Sequence, residues 1–502
     1  MAETVTYSKF ACVGTGFSGI GLGATLQRWY NESDIRYFER RDKLGGTWYI
    51  NKYPGAACDV PSALYSLSYE QNTEWSRILP TTDEIEAYLQ RVTQKYDLLS
   101  KMTFGVEVTE CRWVEAQNRW RLTIRDDRHN KILLHEASIL FSASGQLVYP
   151  LDLDVPGVET FKGDIFHSAR WRKDVSLDGK DVVIFGNGCT ATQIVPAIVK
   201  KTKTLTQIVR SKHWVFPPID FPYPGWLKWA FKHVPFILRL HRFHIFLQAE
   251  SQFKLFPLTE KAGRLRAAMR VQVERYMRKT APEKYHDILI PDFDVGCKRR
   301  IFDSGYLKSL HASNLVLTNK KAIEIVPDGV RTEEKTIKAD VIILANGFRT
   351  NDFVSPSKVI GRNGELLTEH WEKAGGPEAY NCSVMSGFPN FFLLLGPNAA
   401  TGHTSAIMAS ENSINYALRI LKPVITGKAA TVEIKADAEV AYTNKMQDDL
   451  SKTVWNSGCQ SCVFPTWKDW KIKNSSTDTY YQLYLLLAIF GASCLTAVLT
   501  KV

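Results

Sequence analysis

The chain carries two glycine-rich turns of the same form. Gly14-Thr15-Gly16-Phe17-Ser18-Gly19 follows the apolar run Phe10–Val13, and Gly186-Asn187-Gly188-Cys189-Thr190-Ala191 follows Asp181–Phe185, with Ala191 in the third glycine position. Glycines at these offsets permit a tight turn and close backbone approach to a pyrophosphate. The free N–H groups of the helix that starts there then hold the phosphate oxygens. Glu39 ends the next apolar run, Ile35–Glu39, where a carboxylate accepts from a ribose hydroxyl pair. The second unit's following run, Leu205–Val209, ends instead in Arg210-Ser211-Lys212. A guanidinium there favours the 2′-phosphate of NADP over the free hydroxyl of NAD. Strand, glycines, helix and strand in this order, found twice, imply two dinucleotide cofactors in one chain.

Three further sets of residues could do chemistry. Lys298-Arg299-Arg300 is a run of cations, any one of which could hold an anionic oxygen or a phosphate. His167 and His403 could each act as an acid near neutral pH. His167 lies in a linker between Phe166 and Ser168, where a structural hydrogen bond is the simpler role. For His403, in Gly402-His403-Thr404, a helix-start or phosphate contact is an equal alternative. Cys459-Gln460-Ser461-Cys462 is a CxxC with no second pair near it, so neither zinc nor redox use is expected. No HExxH and no Ser-His-Asp order with an elbow glycine occurs, and no metal site is expected.

The elements that must position these groups alternate strand and helix, which gives an α/β fold with two Rossmann-like units. Helices are expected over Ile20–Tyr30 and Thr192–Lys200, the second bent or shortened by Pro196. Three more apolar runs, Ala137–Ser142, Ala339–Leu344 and Phe391–Leu395, each close on a glycine turn. They read as strands that return to the first unit. One unit then spans about 8–150 and 340–430, with the second, about 160–340, inserted into it. Within the insert, 223–256 is aromatic and basic, and reads as one or two helices over the cleft or as a peripheral membrane contact. Residues 431–478 form an extension.

Composition narrows the class. At 502 residues, 45% hydrophobic and 23% charged, the chain is too apolar and aromatic to be disordered and long enough for two or three domains. The net charge of +11 suits anionic cofactors; it is dispersed and no reader motif accompanies it, so nucleic acid is not expected. The start, MAETVTYSKFACVGTG, lacks the charged-then-apolar form of a signal peptide. Residues 479–500 hold no charge, and as a helix would be about 33 Å long, near the ~30 Å of a bilayer core. Lys468, Lys471 and Lys473 precede this segment, so a single-pass anchor with the catalytic part in the cytoplasm is expected. The competing reading is a buried last helix in a soluble cytoplasmic protein.

From about residue 9 to 420 the sequence resembles the flavoprotein Baeyer–Villiger monooxygenases, in particular fungal relatives of secondary metabolism. Phe161-Lys-Gly163-Asp-Ile-Phe-His167-Ser-Ala-Arg-Trp171 fits the family fingerprint FxGxxxHxxxW, with Arg172 where Pro or Asp is usual. Gly45-Gly46-Thr47-Trp48 and Tyr53-Pro54-Gly55-Ala56-Ala57-Cys58-Asp59-Val60 resemble the segments that wrap the flavin ring, and Tyr65 matches a flavin contact. Gly296-Cys297-Lys298-Arg299-Arg300 resembles the segment that supplies an active-site arginine. The resemblance implies that Arg299 is that arginine, Asp59 its partner and Lys298 a phosphate contact. It also implies that Gly186 to Gln193, with Thr190 and Thr192, and Arg210-Ser211 hold NADPH. Asn346 stands where the family's Ala-Thr-Gly turn has Thr.

The implied fold has the NADP domain inserted into the FAD domain, followed by the apolar C-terminal helix. The implied reaction takes FAD, NADPH and O2, and inserts one oxygen atom into an apolar ketone through a flavin peroxide to give an ester or lactone. The alternatives are a flavin-dependent N- or S-oxygenase or hydroxylase, and a nucleotide-binding membrane scaffold without catalysis. Whether a ketone or an amine is consumed separates the first two. Intact glycine turns with Asp59 and Arg299 argue against the last.

Overall fold

A computed structural model of the chain describes residues 5–350, 352–399 and 402–457. Two sheets organise it. In the first, the central strand Val5–Val13 pairs in parallel with Ile35–Glu39 on one side and Lys131–Ser142 on the other. Met102–Phe104 extends the sheet beyond Ile35–Glu39, and Phe391–Leu393 pairs with the far end of Lys131–Ser142. The near end of that twelve-residue strand runs antiparallel to Arg119–Asp126, which pairs with Val106–Val114. Phe10, Ala11 and Cys12 are fully buried, as a strand covered on both faces requires. The helices Phe17–Tyr30 and Ala406–Ile420 pack together against this sheet.

The second sheet is all parallel, in the order Leu315–Thr318, Thr204–Ile208, Asp181–Phe185, Val341–Leu344, Asp164–His167. Val341–Leu344 was expected to return to the first unit. It hydrogen-bonds to both neighbours in the second sheet instead, so the chain leaves the second unit only after this strand. An uninterrupted apolar run fits the centre of either sheet equally well, and its composition carries no information on which.

The helix after the second glycine turn, Cys189–Ile198, contains Pro196 and is not broken by it. A proline lacks the N–H that would bond the carbonyl four residues back, here Thr192. Ser304 Oγ donates to that carbonyl at 3.2 Å and satisfies it. The region 223–256 forms two helices, Gly225–His233 and Ile237–Glu250, and a short 3₁₀ turn, Phe253–Leu255. Arg242 anchors them to the first unit. Its guanidinium, buried, donates to the carbonyls of Ala63 at 2.6 Å and Ser66 at 3.0 Å and lies 3.8 Å from the Glu411 carboxylate.

Two expectations need correction or fall outside this view. Among the described residues no helix is long and apolar enough to cross a membrane. The segment 479–500, expected to be a single-pass anchor, lies outside the described residues, so the membrane assignment has no described helix behind it and is withdrawn. Of the extension at 431–478, the described part contains the helix Ala436–Ser451.

Candidate functional site

Both glycine turns form open helix starts. Gly14 sits at φ +106°, and a Cβ there would lie 2.5 Å from the Ala143 carbonyl oxygen, so only glycine fits. The helix Phe17–Tyr30 begins on Gly16 with no side-chain cap and no acid in its first turn. Its first N–H groups are therefore left for an external acceptor, and the positive end of the helix favours an anion. Gly46 approaches Gly16 closely enough that a Cβ on it would stand 3.1 Å from the Gly16 Cα. Ser18 is fixed from behind by a bond from Ser410 Oγ at 2.7 Å. Buried Glu39 accepts from the N–H and hydroxyl of Thr15, both at 2.9 Å, and from Arg41 N at 3.0 Å. A carboxylate has about four acceptor positions, so about one is left for a ribose hydroxyl.

The second turn repeats the arrangement. The helix Cys189–Ile198 starts on Gly188 with no side-chain cap and no first-turn acid, and the space beside Gly188 is open. Thr192 Oγ1 turns back to the Cys189 carbonyl at 2.9 Å. Arg210 is exposed at the end of Thr204–Ile208, and the Ser211 carbonyl accepts from Asn187 at 3.4 Å. Lys298 reaches the Lys212 carbonyl at 3.4 Å, so the second half of the chain brings a further cation to this corner. Two uncapped helix starts with adjoining glycines, one followed by an acid and one by cations, fit FAD and NADP respectively.

The two units meet through Gln193. Its amide donates to the Ala57 carbonyl at 3.0 Å while its carbonyl oxygen accepts from the Tyr53 hydroxyl at 2.9 Å. Beside this junction Asp59 and Arg299 form a two-pronged pair: Nε to Oδ2 at 2.6 Å and Nη2 to Oδ1 at 2.7 Å. Burial alone would raise the Asp59 carboxyl, but the charge and two hydrogen bonds of Arg299 hold it below its ordinary value. The same carboxylate, acting against burial, raises Arg299, which stays cationic at any working pH. Both side chains keep about a quarter to a third of their surface open to the cleft.

Geometry separates the three cations that residue type could not. Lys298 turns to Lys212, Arg299 to Asp59, and Arg300 lies near the rings of Phe216 and Phe302. Burial first, and then the Arg299 charge, lower Arg300 to about 10. All three line one cavity, partly open to solvent, together with Phe256, His403 and Trp455. Among the residues of the flavin-type segments, Trp48 Nε1 donates to the Tyr65 hydroxyl at 3.0 Å, and the Phe17 ring stands 5.4 Å from Tyr65. Thr47 and Trp48 open the short helix Thr47–Ile50, and Val60 is buried behind Asp59.

The fingerprint residues have structural work. A Cβ on Gly163 would lie 2.2 Å from the Asp340 carbonyl oxygen, and the Phe161 ring packs over the same spot. His167 Nδ1 accepts from Ala169 N and Nε2 donates to the Gly347 carbonyl, both at 3.1 Å. It thus ties the end of the second sheet to the turn through which the chain leaves that sheet. Burial lowers this histidine to about 4, which leaves it neutral and unsuited to acid catalysis at neutral pH. Asn346, in the same turn, donates to the carbonyls of Leu151 and Asp152. Among the described residues no group of acids, histidines and cysteines could hold a metal ion.

Sequence reasoning missed Glu250, Phe256 and Trp455 as members of the cavity region. The signal for Glu250 was present: residues 221–249 contain no acid, so the carboxylate that ends the stretch is conspicuous.

The chain is similar to known proteins. Residues 7–237 match the flavin-binding monooxygenase-like family. A Baeyer–Villiger monooxygenase of Pseudomonas aeruginosa is 33% identical over 457 residues, which cover 91% of this chain and 85% of that protein. An FAD-binding monooxygenase of Aspergillus terreus is 30% identical over 468 residues, 90% of this chain and 82% of that one. Among solved structures, an oxidised steroid monooxygenase bound to NADP superposes with a TM-score of 0.80 at 26% identity, covering 96% of this chain and 98% of the other.

Proposed function

Because this chain belongs to the family of Baeyer–Villiger flavoprotein monooxygenases, we propose that Arg299 and Asp59 form its oxygen-transfer site. The chain is an FAD-dependent, NADPH-consuming monooxygenase that inserts one atom of O2 into a ketone to give an ester or lactone. The first sheet with the turn Gly14–Gly19 takes FAD, and the second with Gly186–Ala191, Arg210 and Lys298 takes NADPH. When bound, these groups supply the hydride and the activation of dioxygen.

The chain's own residues supply charge and position. Oxygen insertion places negative charge on oxygen before and after it adds to the ketone carbonyl, and a cation fixed nearby lowers the barrier. Asp59 spends two of the five donors of Arg299 and locks the plane of the fork, leaving three for the reacting oxygens. Gln193 holds the Ala57 carbonyl two residues before Asp59, so the NADP unit and the catalytic carboxylate are coupled through one side chain. The aromatic walls of the cavity favour an apolar ketone.

The observation that carries this reading is the two-pronged Arg299–Asp59 pair, with Arg299 lining a cavity and Asp59 two residues from the carbonyl that Gln193 of the second unit binds. A panel of apolar ketones, assayed for NADPH-dependent ester formation with products identified by NMR, tests it. Ketone consumed and ester formed is the expected outcome. Amines or sulfides consumed with every ketone untouched would move the chain to the heteroatom oxygenases.

A further inference from the structure

The cavity that the three cations line also holds polar side chains that the oxygen-transfer reading does not use. The helix Ile237–Glu250 ends on a carboxylate that is 9% exposed, although the negative end of a helix repels an acid. The partner of Glu250 is His403, whose Nε2 lies 3.3 Å from Oε1. A carboxylate oxygen only accepts, so Nε2 carries a ring proton, and in the neutral ring Nδ1 then presents a lone pair. That Nδ1 is buried and has no hydrogen-bond partner among the described residues.

A second orphan lies beside it. Ser251 Oγ donates to the Gln248 carbonyl at 2.7 Å, so its oxygen is left to accept from Gln252 Nε2 at 3.4 Å. This sets the amide of Gln252 with its carbonyl oxygen buried and, among the described residues, unpartnered. His403 and Gln252 both line the cavity of Arg299. Phe253 and Phe256 stand 5.7 and 5.3 Å from the His403 ring, and Trp455 is 4.7 Å from Phe256. Buried polar atoms are rarely left unpaired without a reason.

Two acceptors in an aromatic-walled cavity call for a donor. An ammonium donor is disfavoured because Lys298, Arg299 and Arg300 line the same space. A neutral hydroxyl meets both conditions. We propose that His403 and Gln252 form a specificity site that accepts a hydrogen bond from a hydroxyl group on the ketone substrate, with Glu250 as the positioning residue that holds His403 in its accepting tautomer. The assignment of a ketone as substrate rests on the function proposed above; the hydroxyl preference rests on the cavity alone.

Three ketones of one shape test it in the flavin-loaded enzyme: 4-phenyl-2-butanone, its para-hydroxy derivative, and the methyl ether of that derivative, which keeps the oxygen but has no proton to donate. The wild type should show a KM about tenfold lower for the hydroxy compound than for either of the others, with similar kcat. His403→Phe and Gln252→Leu should each bring the three KM values to within about twofold. Equal KM values in the wild type, or a preference kept in both variants, would overturn the proposal. So would loss of bound flavin in His403→Phe with the hydroxyl preference intact in Gln252→Leu, because the site would then serve the cofactor. Titration of each ketone against the bound flavin's absorbance separates this claim from the reaction. Tighter binding of the hydroxy compound with no ketone oxygenated would sustain the site and sink the proposed chemistry.

Discussion

Replacing Arg299 by alanine removes the cation that Asp59 holds, and the structure allows its effect to be sized. Two of its donors bind Asp59 at 2.6 and 2.7 Å, which leaves three pre-oriented toward the cleft. Losing a single pre-oriented donor to a developing oxyanion costs about 3–4 kcal/mol, or roughly a hundredfold or more in rate. Ester formation by Arg299→Ala should therefore fall at least ~100-fold. Flavin content should be kept, because the turn Gly14–Gly19 and Glu39 make no hydrogen bond to this arginine. Arg299→Lys keeps the charge but not the fork, and its rate should lie between the two. The assay is the initial rate of ester formation under saturating NADPH, with flavin content measured from the visible spectrum. An Arg299→Ala protein that forms ester within about fivefold of the wild-type rate would refute the assignment, and Arg300 would become the candidate.

Further predictions concern the cofactor sites and the frame. Arg210→Ala should raise the KM for NADPH about tenfold or more and leave that for NADH nearly unchanged, through loss of a charge-assisted bond to the 2′-phosphate; equal KM values for the two nucleotides in the wild type would contradict this. Gly14→Ala should abolish flavin loading, since its Cβ meets the Ala143 carbonyl oxygen at 2.5 Å at a φ of +106°; a yellow variant with normal flavin content would contradict it. Burial lowers both His135 and His167 to about 4, against ~6.5 when unfolded, so between these values the unfolded chain binds protons that the folded chain does not. Stability should be present above pH ~6.5 and fall as pH drops toward 4, by up to about 3 kcal/mol for each histidine. Urea midpoints that do not decrease from pH 7 to pH 5 would count against these two groups being neutral in the fold.

The parts of the site legible in the sequence were those fixed by local geometry. A turn that backs onto a neighbouring carbonyl demands glycine, so Gly14 and Gly186 announce themselves, and the residue that ends the following strand states the cofactor's sign preference. The fingerprint was legible for the same reason: Gly163 is pressed against Asp340, and His167 closes a crossover. Partnerships across long sequence separations were not legible. Asp59 and Arg299 stand 240 residues apart and were paired only through the family resemblance. Glu250 and His403, 153 residues apart, carried no joint signal. Val341–Leu344 was placed in the wrong sheet because four apolar residues suit either interior. The tolerance of Pro196 within its helix depends on Ser304, a partner that no local rule supplies.

The most direct test of the central claim is oxygen labelling. Wild-type enzyme loaded with FAD, supplied with NADPH, a ketone that it turns over and ¹⁸O₂, should yield an ester with one ¹⁸O at the bridging position, with about one NADPH consumed per ester formed. An unlabelled product, or ¹⁸O recovered in the ester's carbonyl oxygen instead of the bridging position, would contradict the account.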